Sequence, residues 1–272
     1  MLPGRAPMKF SIREEMAPGS NVTERYANLA RMGFAAGEIN ISCRPENVEE
    51  VKAASKATGL VPNIMQSTEL HIIDSRPEER RKTIESVKQA LTLCGEVGGV
   101  GTVMVPLLGA SSRVPDLSPL QTQSEIEFEL LVTILQEELA PHAEKCGTSV
   151  IIEPLNRYEQ VWPCTLEQGV QICAAVNSPN VAIMADFFHM NIEEGDIAAS
   201  IRKAGKWIRY VHLADSQRLL PGYGHIQFGP ALKALEEIGY DGFMGFECGI
   251  PGDPFVELPK SMRYLEAALA GA

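Results

Sequence analysis

The sequence predicts an α/β protein of the (β/α)₈ barrel class, folded as a single domain over residues 1–272. Short β-branched apolar runs alternate with longer amphipathic segments, which is the pattern of βα units around a parallel sheet. Eight such units can be counted along the chain. A (β/α)₈ barrel typically takes roughly 250 residues, so this chain has the length that one such barrel needs.

Each predicted strand is a short apolar run, and a helical pattern follows each one. The predicted strands are Lys9–Ile12, Ala36–Ile41, Leu60–Met65, Gly101–Pro106, Ser149–Glu153, Val181–Ala185, Ile208–Leu213 and Gly242–Glu247. The predicted helices are Thr23–Met32, Asn47–Thr58, Pro77–Glu96, Ser124–Lys145, Thr165–Val176, Asp196–Ala204, Pro230–Ile238 and Pro259–Ala270. Gly59, Gly147 and Gly239 follow three of these helices, where a left-handed C-terminal cap favours glycine.

A doubly wound open sheet is the main alternative architecture. No GxGxxG motif follows the first predicted strand, so the dinucleotide site that often accompanies such a sheet lacks its sequence signature. The sequence also shows no linker, low-complexity tract or second domain. The barrel is therefore the expected fold.

Composition and charge exclude several classes of function. Asp and Glu number 35 against 24 Lys and Arg, and the resulting formal charge of −11 repels a polyanion, so nucleic acid is not an expected partner. Six cysteines without CxxC pairs indicate reduced thiols in a cytoplasmic protein. The sequence shows neither a signal peptide nor an apolar run of membrane-spanning length, so no membrane partner is expected. A homodimer and a homotetramer both stay open.

Four strands in succession end on a side chain that can bind a metal. The fifth predicted strand ends on Glu153, and the next three lead into Asp186, His212 and Glu247. Catalytic groups in this fold lie where the strands run into the βα loops, so we expect the four to converge at the barrel mouth. Three carboxylates and one imidazole suit Mn²⁺, Mg²⁺ or Co²⁺ better than a metal selected by thiolates.

Each of these side chains also has a structural interpretation when taken alone. A strand-end Asp or Glu is often a helix N-cap or a solvated charge. Four in register on consecutive strands favour a shared site instead. His71 and His142 lack this register and are interpreted as ordinary structural residues. Glu38, near the end of the second predicted strand, is interpreted first as a charge in a barrel layer or a loop, and a polar contact to the site stays open.

These side chains are sufficient for a chemical hypothesis. A metal bound to two adjacent substrate oxygens polarises a carbonyl and stabilises the enediolate left when a neighbouring C–H proton departs. One carboxylate removes this proton and a second one, on the opposite face, returns it and inverts the carbon. Glu153 and Glu247 are the candidate catalytic pair. Arg218 offers a planar fork of donors for substrate oxygens, and His189 can donate to an oxygen beside the metal.

Several motifs carry a resemblance to a known family. They are EPLNRYE with Glu153, DFFHMN with Asp186 and His189, VHLADSQR with His212, and GFEC with Glu247. Together they resemble the sugar isomerase/epimerase class of xylose-isomerase-like TIM barrels, and the resemblance covers essentially the whole chain. It is closest to the ketose 3-epimerases and the hydroxypyruvate isomerases.

The resemblance implies a cofactor, a ligand set and a substrate class. It implies one divalent metal ion per chain, with Mn²⁺ as the first choice and Mg²⁺ or Co²⁺ as the others. The implied metal ligands are Glu153, Asp186, His212 and Glu247. The implied substrate-binding residues are Glu159, His189 and Arg218, the last because it keeps the family's six-residue spacing after His212.

The substrate expected from these motifs is a small sugar or hydroxy-carbonyl compound, first a free ketose epimerised at C3. A phosphate dianion usually needs a glycine-rich turn at a helix N-terminus or a basic cluster. The loops after the seventh and eighth predicted strands offer Arg218 and little else, and the segment GIPGDPFVELP has no basic residue before Lys260. Hydroxypyruvate stays open because Arg218 alone could pair with its carboxylate.

Three further alternatives come from other classes of protein. A metal-dependent dehydratase of the dehydroshikimate or inosose type would use a similar site and stays open. Endonuclease IV, a DNA-repair enzyme with a three-metal cluster, carries an Asp-x-His pair where this chain has Tyr223-Gly224-His225. The chain therefore lacks ligands that the cluster needs, and DNA repair is not the expected function. A noncatalytic sugar-binding barrel would have little use for two carboxylates at the reacting carbon.

Overall fold

The structure, a computed structural model, describes residues 8–39, 43–109 and 111–272. Its strand segments lie within a residue or two of the predicted ones, and the predicted continuation of the second strand to Asn40 and Ile41 falls outside the described residues. The strands are β1 (Lys9–Ile12), β2 (Ala36–Gly37), β3 (Val61–Pro62), β4 (Ile64–Gln66), β5 (Gly101–Met104), β6 (Ser149–Ile152), β7 (Val181–Asp186), β8 (Ile208–Leu213) and β9 (Phe243–Phe246).

The strands close into a parallel barrel. Seven of the described strands form one sheet in the order β1-β9-β8-β7-β6-β5-β4, and β2 pairs with β3. Backbone bonds close the ring on both sides of β2, because Glu38 N donates to Ile12 O at 2.9 Å and Ile39 N donates to Ile64 O at 2.9 Å. Since β3 and β4 are two parts of the third predicted strand, the predicted (β/α)₈ barrel is confirmed.

The helices cover the outside of the barrel. They are α1 (Val22–Met32), α2 (Val48–Thr58), α3 (Pro77–Glu96), α4 (Gln123–Ile134), α5 (Ala140–Cys146), α6 (Leu166–Val176), α7 (Phe187–Glu193), α8 (Ile197–Ala204), α9 (Phe228–Glu237) and α10 (Pro254–Ala270). Gly59 and Gly147 end α2 and α5 with φ of 78° and 68°, as predicted for left-handed caps. Within the described residues, no helix combines the length and the apolar character needed to cross a bilayer.

Two helices differ in extent from the prediction. The predicted helix Ser124–Lys145 consists of α4, a π-helical segment over Leu135–Leu139, and α5. The last helix begins at Pro254 and not at Pro259, because Asp253 caps it by accepting a hydrogen bond from Phe255 N at 3.0 Å. Proline suits the first helical position since its missing N–H would have no partner there.

One short helix was not predicted. The helix α7 directly follows β7, and Asp186 caps it by accepting hydrogen bonds from Phe188 N at 2.7 Å and His189 N at 3.2 Å. Seven residues are too few to show a clear helical period in the sequence. This cap fixes the backbone of His189 beside the Asp186 side chain.

The hydrophobic core has two parts, as the alternation of side chains along a strand requires. The larger part lies between strands and helices and includes Ile152, Ala185 and Val211. The smaller part fills the barrel interior and consists of Ile64, Val103, Ile151, Met184 and Tyr210. Residues two positions further along these interior rows therefore also point into the barrel.

Candidate active site

Glu153, Asp186, His212 and Glu247 converge at the carboxyl end of the barrel. All four are buried, and each offers a ligand atom within 4.8 Å of the others. From His212 Nδ1 the distance is 3.2 Å to Glu247 Oε2, 3.5 Å to Asp186 Oδ2 and 3.8 Å to Glu153 Oε1. The structure thus brings together the four side chains that the sequence placed at strand ends.

Strand alternation explains why these four point inward. Glu153 follows Ile151 by two residues, Asp186 follows Met184 and His212 follows Tyr210, and all three earlier residues belong to the interior cluster. Residues i and i+2 of a strand share one face of the sheet. Glu247 follows Gly245, which faces the Tyr210 hydroxyl inside the barrel. The cluster of four side chains is therefore the next layer above the apolar filling of the barrel.

The donor atoms fit a divalent cation. Asp186 uses Oδ1 to cap α7, whereas its buried Oδ2 has no hydrogen-bond partner among the described residues. The buried Nδ1 of His212 also lacks such a partner, while its Nε2 lies 3.0 Å from Glu38 Oε1. A buried polar atom without a partner is costly, so a ligand between these atoms is physically reasonable. An oxygen-rich set with one imidazole suits Mn²⁺, Mg²⁺ or Co²⁺.

The two candidate catalytic glutamates lie in different electrostatic environments. Burial raises the pKa of Glu153, and the neighbouring Glu247 charge raises it further against the opposing effect of His212. For Glu247 burial also acts upward, but His212 and Arg13 outweigh it and lower the pKa to about 2. Arg13 Nη1 lies 2.7 Å from Glu247 Oε1, and Arg218 Nη2 contacts the other oxygen. The Glu247 carboxylate is therefore the more strongly held in its ionised form.

His212 is surrounded by carboxylates. Burial alone would lower its pKa, yet Glu38 and Glu247 raise it well above the usual histidine value. For Asp186 the balance has the opposite sign: burial acts to raise the pKa, but His189, His212 and Arg218 lower it. Carboxylates on several sides of His212 thus favour positive charge at the centre of the site.

The predicted substrate-binding residues border this cluster. Arg218 Nη1 lies 3.1 Å from His189 Nε2, and the Arg218 guanidinium stacks 4.5 Å from the centre of the Phe188 ring. His189 Nδ1 accepts a hydrogen bond from Asn156 N at 3.1 Å, which leaves Nε2 facing the cluster. That nitrogen lies 3.9 Å from the nearest oxygens of both Glu153 and Asp186.

Glu159 contacts the cluster only indirectly, through Asn156 and His189. Its Oε1 accepts a hydrogen bond from Asn156 Nδ2 at 2.9 Å, and Asn156 Nδ2 also lies 2.8 Å from His189 Nδ1. The EPLNRYE segment thus holds one metal-competent carboxylate and, through Asn156, orients the ring of His189.

Sequence reasoning missed Arg13 and undervalued Glu38. Arg13 follows β1 and contacts Glu247, while Glu38 follows β2 and contacts His212. Glu38 is fully buried inside the barrel, so its position in a barrel layer agrees with the prediction, and its contact with His212 is the polar contact that the sequence left open. The sequence did contain one signal for Arg13: it follows Ser11 by two residues, so both side chains lie on the same face of the first strand.

A buried aspartate organises the loop that carries Arg218. Asp215 accepts hydrogen bonds from the backbone N–H groups of Ser216 at 2.8 Å, Gly222 at 2.9 Å and Ile226 at 3.1 Å. Arg218 itself has a φ of 53° and donates its N–H to Asp215 O at 2.8 Å. A side chain at Gly224 would collide with the Asp215 carboxylate, so this glycine is needed for the close approach.

Comparison with known proteins decides the family. The model of the family described as xylose isomerase-like TIM barrel matches residues 26–268. The 3-dehydro-D-guloside 4-epimerase of Escherichia coli (strain K12) is 31% identical over 262 residues, which are 95% of this chain and 99% of the relative. The chain belongs to the xylose isomerase-like TIM-barrel family.

Further relatives of this TIM barrel are also sugar epimerases. The D-psicose 3-epimerase of Ruminiclostridium cellulolyticum is 39% identical over 121 residues, which are 44% of this chain and 39% of that enzyme. The crystal structure of 3-keto-D-glucoside 4-epimerase from E. coli has a TM-score of 0.86 and 29% identity, covering 96% of this chain and 99% of the other. Since epimerases are isomerases, these relatives confirm the predicted enzyme class and the resemblance seen in the motifs.

The anchoring role of Asp215 in this TIM barrel is testable. Asp215→Ala leaves three backbone N–H groups without their acceptor, so we expect a loss of about 1–3 kcal/mol in the free energy of unfolding. We also expect kcat/KM to fall by about tenfold or more, because Arg218 loses its fixed position. Urea unfolding and steady-state kinetics measure the two effects.

A double-mutant cycle separates positioning from general destabilisation. If Asp215 acts through Arg218, Asp215→Ala should add little to the loss of kcat/KM in an Arg218→Ala background. Asp253→Ala, which removes the exposed cap of α10, is the control and should affect stability alone. Additive losses of kcat/KM in the cycle would contradict the coupling.

Proposed function

We propose that the chain, as one barrel domain over residues 1–272, is a metal-dependent sugar epimerase that inverts a carbon next to a ketone. The observation that carries this proposal is the convergence of Glu153, Asp186, His212 and Glu247 with mutually facing donor atoms. Membership of a family whose full-length relative is a sugar 4-epimerase supports it.

The proposed metal ligands are Glu153, Asp186, His212 and Glu247, with Mn²⁺ as the first candidate. A divalent ion held there supplies positive charge near the substrate oxygens on which negative charge develops. Asp186 Oδ2 and His212 Nδ1 give the strongest support for this assignment, because both are buried without a hydrogen-bond partner and a bound cation would supply one.

The two glutamates are the proposed acid–base pair. One carboxylate takes the C–H proton, leaving the electron pair in a planar enediolate, and the other delivers a proton to the opposite face. Their unequal environments suit these unequal tasks, because Glu247 is held ionised by two arginines whereas burial makes Glu153 easier to protonate. The reverse epimerisation uses the same two carboxylates with their roles exchanged.

His189, Arg218 and Glu159 are the proposed substrate-binding residues. His189 presents Nε2 toward the site, because Asn156 N donates to its other nitrogen. Arg218 presents a guanidinium fixed against Phe188 and Glu247. Glu159 contributes an acceptor carboxylate, which suits hydroxyl groups of a neutral sugar.

A free ketose epimerised at C3 is the first substrate proposed. The local similarity to D-psicose 3-epimerase supports it. A keto-glycoside epimerised at C4 is the second, because the 4-epimerase relative matches nearly the whole length of both chains. Both reactions move a proton at a carbon next to a ketone, so the same acid–base pair serves either one.

A substrate screen tests the proposed function. Free ketoses, 3-keto-glycosides, hydroxypyruvate and ketose phosphates are incubated with Mn²⁺-loaded protein, and the products are identified by NMR. We expect inversion of a neutral keto sugar and a lower kcat/KM for the matched phosphate, since Lys260 is already paired with Glu257. Preferred turnover of a phosphorylated sugar, or water elimination in place of inversion, would contradict the proposal.

Metal dependence is a separate prediction. Purified protein should bind one divalent ion per chain, lose activity in EDTA and regain it with Mn²⁺. Saturation at 100 times the dissociation constant should raise the free energy of unfolding by about 2.7 kcal/mol. Absence of bound metal together with full activity in EDTA would contradict this prediction.

The base assignment can be tested by hydrogen exchange. Glu153→Gln and Glu247→Gln should each slow exchange of the substrate C–H proton in deuterated water by about 10²–10⁴-fold, even at saturating Mn²⁺. Asp186→Asn is the matched control, because it alters a proposed ligand that is not a proposed base. With excess Mn²⁺ it should retain measurable exchange, and equal losses in all three variants would point to metal binding alone.

A further inference from the structure

A chain of buried polar side chains lies inside the barrel directly below the ligand cluster. It consists of Ser11, Asn63, Tyr210 and Glu38, which come from four different strand regions and are all fully buried. Polar groups are rare in a barrel interior unless their hydrogen bonds are satisfied. Their arrangement therefore needs an explanation beyond packing.

The hydrogen bonds of this chain run in one direction from Ser11 to Glu38, and Glu38 also accepts from His212. Ser11 Oγ donates to Asn63 Oδ1 at 3.1 Å, and Asn63 Nδ2 donates to the Tyr210 hydroxyl at 3.2 Å. The Tyr210 hydroxyl donates to Glu38 Oε1 at 2.8 Å, and His212 Nε2 lies 3.0 Å from the same oxygen. Since this oxygen already accepts from Tyr210, it serves as the acceptor for His212 Nε2 as well.

This arrangement fixes the imidazole. The contact with Glu38 holds the hydrogen on Nε2, so that in the neutral, metal-binding form of the ring the lone pair of Nδ1 is directed toward Glu153, Asp186 and Glu247. Tyr210 also packs edge-on against the His212 ring, with ring centres 5.5 Å apart and an interplanar angle of 76°. Orientation and tautomer are thus both set from below the site.

Two neighbours show that the space for Glu38 is built into the barrel. A Cβ atom at Gly245 would collide with both Glu38 Oε1 and the Tyr210 hydroxyl, so β9 leaves room for their contact. The second oxygen of Glu38 lies 3.9 Å from Arg13 Nε, and the same guanidinium contacts Glu247. Glu38 therefore touches one proposed ligand directly and a second one through Arg13.

We propose that Glu38 is a positioning residue for the divalent cation, acting through His212 and supported by Tyr210. The inference rests on the proposed metal site and names a residue outside the four ligands. Groups that hold a metal-binding histidine by its second nitrogen typically contribute about 10–100-fold to metal affinity. Glu38 has the contact, the burial and the charge for this role.

The test measures Mn²⁺ affinity by calorimetric titration, independently of turnover. Glu38→Ala should raise the dissociation constant by about 10–100-fold. Glu38→Gln keeps an acceptor oxygen for His212 Nε2 but loses the charge, so it should lie between wild type and Glu38→Ala. This partial rescue by a residue of similar size distinguishes positioning from a loss of packing.

Glu127→Gln is the matched control for loss of a buried carboxylate. Glu127 lies on α4, is buried, and is hydrogen-bonded to Ser112 and Gln123. The Glu127→Gln variant should keep the Mn²⁺ dissociation constant within about twofold of wild type, because Glu127 contacts neither the four proposed metal ligands nor Glu38, Tyr210 or Arg13. Circular dichroism and urea unfolding establish that each titrated variant is folded.

Two milder variants decide the question if Glu38→Ala does not fold. Tyr210→Phe removes the hydroxyl that supports Glu38, and Gly245→Ala forces Glu38 away while leaving its carboxylate in the chain. Each should weaken Mn²⁺ binding severalfold or more. Wild-type affinity in folded Glu38→Ala, or in both milder variants, would overturn the inference. Failure of the wild-type protein to bind Mn²⁺ would instead refute the metal site itself.

Discussion

The burial of four carboxylates around one imidazole is the constraint on which the rest of this structure depends. Glu38, Glu153, Asp186 and Glu247 all lie within or beside the barrel mouth, and His212 lies among them. Isolated buried charges are expensive, and like charges at this spacing repel strongly. The surrounding residues are best understood as the groups that make such a concentration of negative charge stable.

The compensation comes from both sides of the cluster. At the open side Arg13 and Arg218 each bind one oxygen of Glu247, and below it Tyr210 donates to Glu38. The contact between Arg13 and Glu247 joins the region after the first strand to the region after the last. Closure of the barrel between β1 and β9 is therefore linked to the electrostatics of the site, because breaking that seam would leave Glu247 without one of its partners.

The residue pattern along each strand predicted which side chains lie at the strand ends. It did not predict the ion pairs that form between residues far apart in the chain. Strand ends such as Glu153 and Asp186 follow from alternation and from the regular repeat of βα units. Arg13 and Glu38 carry no local signal of their partners, which lie far along the chain. Asp186 shows a further limit, because its N-cap and ligand interpretations were weighed as alternatives, yet its two oxygens allow both.

The proposed catalytic residues and the proposed substrate-binding residues lie on different parts of the barrel. The ligand cluster and its polar support are fixed by strands, whereas Glu159 and Arg218 lie on loops after β6 and β8. The loop after β6 is tied to the one after β5, since Gly109 N donates to Glu159 O at 2.7 Å. Loops vary more easily than the strands that carry them. With Glu153 and Glu247 as the acid–base pair proposed above, a 3-epimerase and a 4-epimerase in one family would differ in which carbon the loops place between the two carboxylates, with the proton chemistry left in common.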